Sequence, residues 1–336
     1  MGRFVTIKDI AQKLNISVST VSRALRDTYD VNRETREKVL ALASELNYRP
    51  NFNAMGLVNR NSHNIAVILP YITNYYFSTV ITGIQEVAYK HDYNIILHIT
   101  NDAPERELYI IKNLAVSNLD GLLVSVSTNS DAGNHFQQVI ETGVPIVFFD
   151  RVSDSIKTSK VMQDDYNGAF EAVEHLINKG YQNIAHIAGP EGLSFTQKRK
   201  KGFLDALKKH KLPVKERWII HSGFSQEDGQ EDAAKLFGRK DRPDAIFAVN
   251  DRKAIGAMIT LKEKGICIGK DVGVIGFTND PVAAIVNPTL STIAEPAFEI
   301  GKRSCELLLK HISKRNFIPE DVILPGTLIA RESTQR

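Results

Sequence analysis

The sequence predicts an all-α N-terminal module carrying a helix-turn-helix, followed by an α/β body of two subdomains. Three observations predict this. The first 50 residues hold three amphipathic helical patterns and no strand signal. After Asn64, short apolar runs alternate with amphipathic stretches, the rhythm of parallel sheets covered on both faces. Charge is unevenly shared: residues 1–62 hold ten Lys/Arg against six Asp/Glu, and the rest of the chain holds 32 against 33. A basic segment on a nearly neutral body points to a polyanion-binding module joined to a globular one.

The helical elements follow in order. "TIKDIAQKL" has Thr6 as its N-cap and places Ile7, Ile10, Ala11 and Leu14 on one face. "NIS" is a short turn, and Ser17 or Val18 opens a second helix. "NRETREKVLALASELNY" gives a third, with Val39, Leu42, Ala43 and Leu46 at helical spacing and Glu34 and Glu37 favouring its positive end. "RPNFNAMGLVNRNSH", with Pro50, Gly56 and four asparagines, reads as a linker of marginal helical potential. The strands of the body are expected in "NIAVILP", "NIILHIT", "DGLLVSV", "PIVFFD", "SKVMQDD", "NIAHIAG", "WIIHS", "DAIFAVN" and "VGVIGF". That is too many for one sheet of usual size, so two similar subdomains are expected, breaking near Asp150–Met162. The expected boundaries are 1–50 for the headpiece, 51–62 for the linker and 63–336 for the body. Within the body, one subdomain takes 63–160 and 294–321, the other 161–293 and 322–333.

The second helix, "VSTVSRAL", is made of mediocre helix formers. Small hydroxyl residues followed by one arginine suit a helix that lies in the major groove. Ser17, Ser19, Thr20 and Ser22 can reach phosphates or base edges at low entropic cost. Val18 can touch a thymine methyl, and Arg23 can pair bidentately with guanine. Val21 and Leu25 face inward. A solvated Ser/Thr-rich helix in a small bundle is the alternative on pattern alone.

Other classes find little support. The two cysteines, Cys267 and Cys305, lie far apart and form no CxxC, so neither a metal knuckle nor a redox dithiol is indicated. The nine histidines are scattered, and no metal or cofactor is expected. The N-terminus lacks an apolar signal-peptide core, and no apolar run approaches membrane-spanning length. A bacterial-type cytoplasm is therefore the expected compartment. There is no GxSxG, HExxH or post-strand GxGxxG, and "GICIGKD" matches a phosphate loop only loosely, so no catalytic residue is assigned.

"TIKDIAQKLNISVSTVSRAL…VNRETREKVLALASELNYRPN" resembles the N-terminal signature of the lac-repressor (LacI/GalR) family of transcription regulators, nearly gap-free over residues 5–62. The remainder resembles that family's effector domain, a type I periplasmic-binding-protein fold. The resemblance implies that Val18, Ser19 and Arg23 read bases. It implies backbone-contacting or supporting roles for Thr6, Ser17, Thr20, Ser22, Asn32, Thr35 and Tyr48. Residues 51–60 match a hinge helix that orders on operator binding. There Ala54 and Leu57 match the minor-groove face, with Leu57 wedged into a base step. Two departures stand out: Arg26 where many members have Asn, and Gly56, which costs a helix roughly 1 kcal/mol relative to Ala. The implied function is a ligand-responsive, sequence-specific repressor. Its implied partners are a palindromic operator, bound as a homodimer or larger homo-oligomer, and a small-molecule effector related to carbohydrates.

In open α/β sheets, ligands sit beyond the carboxyl ends of the strands. Residues following the expected strands are Tyr76 and Phe77, Asp150 and Arg151, Arg199, Phe224, and Asn250 and Asp251. Arg199 lies in the Arg-x-x-Gly-Phe pattern that carries an effector-contacting arginine in the family. Arginine forks suit carboxylates, phosphates or vicinal hydroxyls, and aromatics stack on a ring face. Thr278, in "IGFTND", replaces the aspartate that usually grips ligand hydroxyls; Asn279 and Asp280 are candidates to stand in for it. Two readings of other classes stay open here. One is a solute-binding protein or sugar-processing enzyme on the same α/β body. The other is a DNA binder that reads no ligand.

Overall fold

The computed structural model describes residues 5–25, 31–48, 62–130, 132–314 and 317–336. The chain forms two compact units, Met1–Ser62 and His63–Arg336. Arg26 and the whole hinge segment, with Ala54, Gly56 and Leu57, lie outside the described residues.

The first unit has three helices, α1 (Ile7–Leu14), α2 (Val18–Leu25) and α3 (Arg33–Glu45). Ile10, Ala11, Val21, Ala24, Val39 and Ala43 form its core, one pair from each helix. Each helix start is closed by a short polar side chain. The Thr6 amide and hydroxyl both donate to Asp9 Oδ2 at 2.7 Å. Ser17 Oγ accepts from the Thr20 amide at 3.0 Å, and Asn32 Oδ1 accepts from the Glu34 amide at 3.0 Å. Asn15 ends α1 in the left-handed conformation (φ 51°) and makes the turn into α2 tight.

The second unit contains two six-stranded sheets, ordered β11-β5-β4-β3-β1-β2 and β12-β10-β9-β8-β6-β7. The first combines β1 (Asn64–Leu69), β2 (Asn94–Ile99), β3 (Gly121–Val124), β4 (Ile146–Phe149), β5 (Lys160–Gln163) and β11 (Asp321–Leu324). The second combines β6 (Ile184–Ala188), β7 (Ile219–His221), β8 (Ala245–Ala248), β9 (Gly273–Thr278), β10 (Ser291–Ala294) and β12 (Thr327–Ile329). All neighbours pair parallel except β10 and β12. The apolar runs are continuous because each central strand serves two cores. Ile65, Val67 and Leu69 of β1 face one side, and Ala66 and Ile68 face the other.

Helices α4 (Tyr75–Lys90), α5 (Pro104–Asn113), α6 (Ala132–Glu141) and α11 (Ala297–Ser313) go with the first sheet. Helices α7 (Asp165–Asn178), α8 (Ser194–Lys209), α9 (Gln226–Phe237) and α10 (Asp251–Glu263) go with the second. The chain crosses between subdomains after β5, after β10 and after β11. These crossings fall a few residues later than the sequence suggests. Residues 161–163 stay in the first sheet because β5 pairs with β11, Asp321 opposite Lys160 and Leu324 opposite Gln163. Strands β10 (STIA) and β12 (TLI) carry too few large apolar side chains to stand out as apolar runs, and β11 (DVIL) alternates between exposed and half-buried positions at a sheet edge.

Helix pairs approach closely through facing glycines. A Cβ on Gly301 of α11 would lie 2.0 Å from the Val80 carbonyl oxygen, and one on Gly83 of α4 would lie 2.1 Å from that of Phe298. Gly229 of α9 and Gly256 of α10 repeat the arrangement. Alanine is the better helix former by roughly 1 kcal/mol, yet overpacking a rigid core costs about 1–3 kcal/mol or more. Gly301→Ala is expected to lower stability in urea unfolding; a gain would mean that the helices separate freely.

Candidate functional sites

In the first unit, α2 buries Val21 and Ala24 and leaves Ser17, Val18, Ser19 and Arg23 exposed along one face. Ser17 Oγ also contacts Ser19 Oγ and Thr20 Oγ1 at 2.7 and 2.8 Å, so the hydroxyls form one ordered cluster at the helix start. Thr20 and Ser22 are half-buried, and Thr6 and Asn32 are exposed at helix starts. Tyr48 packs its ring on the core of the unit. Such a face has the small, hydrogen-bonding front and single forked cation that a groove demands.

In the second unit, the carboxyl ends of the strands converge on a cleft of about 540 Å³. Both subdomains line it. Tyr71, Asn74, Tyr76, Asp102, Thr128, Asp150 and Arg151 come from the first; Phe195, Arg199, Phe224, Asn250, Arg252 and Thr278 come from the second, and Glu295 from the crossing after β10. Arg151 Nη1 donates to Asp102 Oδ1 at 2.6 Å, and the amide and hydroxyl of Thr128 hold the same carboxylate. The Arg151 guanidinium lies over the rings of Phe224 and Phe195, 5.4 and 5.9 Å from their centroids, and so reaches across the cleft. Those two rings stack with centroids 5.7 Å apart.

Arg199 is almost wholly buried, and its donors are committed. Nε donates to Asp165 Oδ1 at 2.9 Å, Nη1 to the Val249 carbonyl at 2.6 Å and Nη2 to Glu295 Oε1 at 2.7 Å. Its flat face covers Phe277 at 3.6 Å. Burial pushes Asp165 up to about 7, against the pull of Arg199. Asp150, left-handed at φ 58°, opens on the cleft, accepts a long bond from Ser125 Oγ at 3.3 Å and lies beside the Tyr76 hydroxyl; burial pushes it up to about 6, against the pull of Arg151. Beneath the Phe224 loop, the buried Lys253 ammonium donates to the Ala188 carbonyl and Ser222 Oγ and pairs with Asp232 Oδ2 at 2.8 Å.

Of the expected cleft residues, Tyr76, Asp150, Arg151, Arg199, Phe224, Asn250 and Thr278 line the cavity. Phe77 and Asp251 do not. Phe77 points into the core of the first subdomain, three per cent exposed. Asp251, one per cent exposed, accepts from Thr292 Oγ1 at 2.6 Å and from the Asp280 amide at 2.8 Å. Asn250 frames the cleft with both ends of its amide in use, one on the Lys253 amide and one on the Phe224 carbonyl. Neither proposed substitute for the missing aspartate serves: Asn279 Oδ1 binds Arg331, and Asp280 Oδ1 caps the following turn. Glu295 places a carboxylate in the lining of the cleft. It was missed because it follows a strand of four residues with only one large apolar side chain. Asp102 and Thr128 follow β2 and β3, where the strand-end rule would have found them. Thr278 has φ 128°, a conformation rare for a β-branched residue, at the cleft wall.

Among the described residues, no group of three or more His, Cys, Asp or Glu could hold a metal, and no helix is long and apolar enough to cross a membrane. A helix-turn-helix unit and a two-lobed cleft of this topology in one chain define a ligand-binding regulator of transcription. Residues 6–51 match the bacterial regulatory proteins of the lacI family, and residues 62–332 match the periplasmic binding proteins and sugar binding domain of the LacI family. The chain belongs to the LacI family. It is 30% identical to catabolite control protein A of Priestia megaterium over 98% of this chain and 99% of that one. It is 33% identical to the probable HTH-type transcriptional repressor ExuR of Bacillus subtilis over 99% of both. Among solved structures, the lac repressor dimer bound to operator and the anti-inducer ONPF superposes with a TM-score of 0.89 at 26% identity, covering 99% of this chain and 100% of that one.

Arg199→Ala strands Asp165 and Glu295 without their cation, and breaking a buried pair in this way costs roughly 3–5 kcal/mol. The variant's carboxyl pKa values rise above those of the parent, so the loss grows with pH. Urea unfolding should show a larger deficit near pH 8 than near pH 5, where protons substitute for the lost cation. A deficit independent of pH would rule out the pairing as its source.

Proposed function

We propose that the protein is an effector-gated repressor that binds a near-palindromic operator as a homodimer and acts in the bacterial cytoplasm. The observation that carries this reading is the pairing, in one chain, of an exposed groove-reading helix with a cleft lined from both subdomains. Val18, Ser19 and Arg23 meet the major groove, and Thr6, Ser17, Thr20, Ser22, Asn32 and Tyr48 contact or support contacts to the backbone. Residues 51–60, outside the described residues, match the family's hinge, and Ala54 and Leu57 match its minor-groove positions. One short helix reads too few bases for genomic selectivity, so two heads are needed.

The effector, a carbohydrate or related molecule, binds between the subdomains. Tyr76, Asp150, Arg199, Asn250 and Glu295 frame it, and the Phe195–Phe224 pair with Arg151 covers its ring. Gating is a population shift. The effector favours one angle between lobes that pivot at the three crossings, and that angle sets the spacing of the two hinge segments.

Two measurements test the reading. Arg23→Ala should weaken specific operator binding by about 1–3 kcal/mol while changing random-DNA binding less; equal losses on both would refute base reading by Arg23. Asp150→Asn should leave operator affinity near that of the parent and abolish release by the effector that genome-wide mapping of binding sites identifies. A normal response in that variant would move the site elsewhere.

A further inference from the structure

The cleft brings its own counter-charges, and this restricts what can enter. Its two buried arginines are neutralised from within the protein: Arg151 by Asp102, and Arg199 by Asp165 and Glu295. Arg199 has Nε, Nη1 and Nη2 all engaged, so it can offer no two-pronged grip to an effector carboxylate or phosphate. Arg252 is the remaining arginine of the lining and stands exposed at the edge.

Acceptors, by contrast, are in surplus. Asp150 receives one long bond from Ser125. Glu295 gives Oε1 to Arg199, and its other oxygen meets no protein donor among the described residues. Tyr76, 7% exposed, lines the cleft with its hydroxyl beside the Asp150 carboxylate, so a ligand group that enters there meets both.

We infer that the cleft selects its effector by charge: it takes a hydroxyl-rich molecule that is neutral or carries an ammonium group, and rejects uronates and phosphorylated sugars. Asp150 and Glu295 are the residues that set this selectivity. An anionic group inside the cleft would sit against two carboxylates; the arginine donors left open to it are those of Arg151, whose charge Asp102 already balances, and of Arg252 at the exposed edge. Hydroxyls or an ammonium would supply the donors that these carboxylates lack. The inference rests on the assignment of the cleft as the effector site.

The test uses full-length protein on its mapped operator. Matched sets of hexoses and pentoses, each as neutral sugar, amino sugar, uronate and sugar phosphate, are titrated at neutral pH. Binding is read by thermal shift and operator release by fluorescence anisotropy. The expected result is response only to neutral or amino members, with the amino form tighter by roughly tenfold. Glu295→Gln should erase that preference for the amino form, read in binding by thermal shift. A uronate or phosphate that binds more tightly than its neutral parent and releases operator overturns the charge rule while leaving the cleft as effector site. Absence of response to every member overturns the cleft assignment, and the charge rule with it.

Discussion

The guanidinium of Arg199 is the group on which the arrangement of the cleft depends. It is held from three directions: Asp165 at the start of the helix after β5, Glu295 on the crossing after β10, and the carbonyl of Val249 at the end of β8. Two of these lie on or beside connections between the subdomains. A planar, permanently charged fork is suited to this, since it fixes angles as well as distances. Burial pushes the Asp150 and Asp165 carboxyls up, to about 6 and about 7, and Glu295 adds to both, against the pull of Arg151 on the first and Arg199 on the second.

The two lobes are built to move as solid pieces. Glycine contacts between helices leave no slack for sliding, and β1 and its neighbours are packed on both faces. The two lobes are joined by three crossings of the chain. A small change at Glu295 or Asp165 lies at those crossings, so a ligand acting there needs no relay through the core. Arg151, resting on Phe224 and Phe195, gives the two lobes a contact across the cleft.

Much of this was legible in the sequence. The long strands announced themselves as apolar runs because parallel strands are buried on both sides, and the three head helices followed from spacing and caps. Of the residues expected beyond strand ends, Asp150, Arg151 and Arg199 line the cavity. Legibility failed where local pattern and tertiary role separate. Phe77 and Asp251 each sit next to a cleft residue on the same helical turn, and one step around a helix turns a side chain from cavity to core. Glu295 follows a strand with only one large apolar side chain, Ile293. The engagement of Arg199 by two acids distant in sequence leaves no local trace, so the fork looked available when it was already occupied.

The path of the chain has a consequence for synthesis. Each sheet is finished by one of the last strands: β11 completes the edge beside β5, and β12 the edge beside β10. Beyond them Ser333 and Arg331 bind the backbone of Ser291, Val274 and Leu290. Neither lobe is therefore complete until residues near 330 have emerged from the ribosome, whereas the head is made first and is compact by itself. A nascent or C-terminally clipped chain would hold a finished DNA-reading unit with no working sensor. Loss of the last strands would thus yield a protein deaf to its signal, a defect of a different kind from loss of the head.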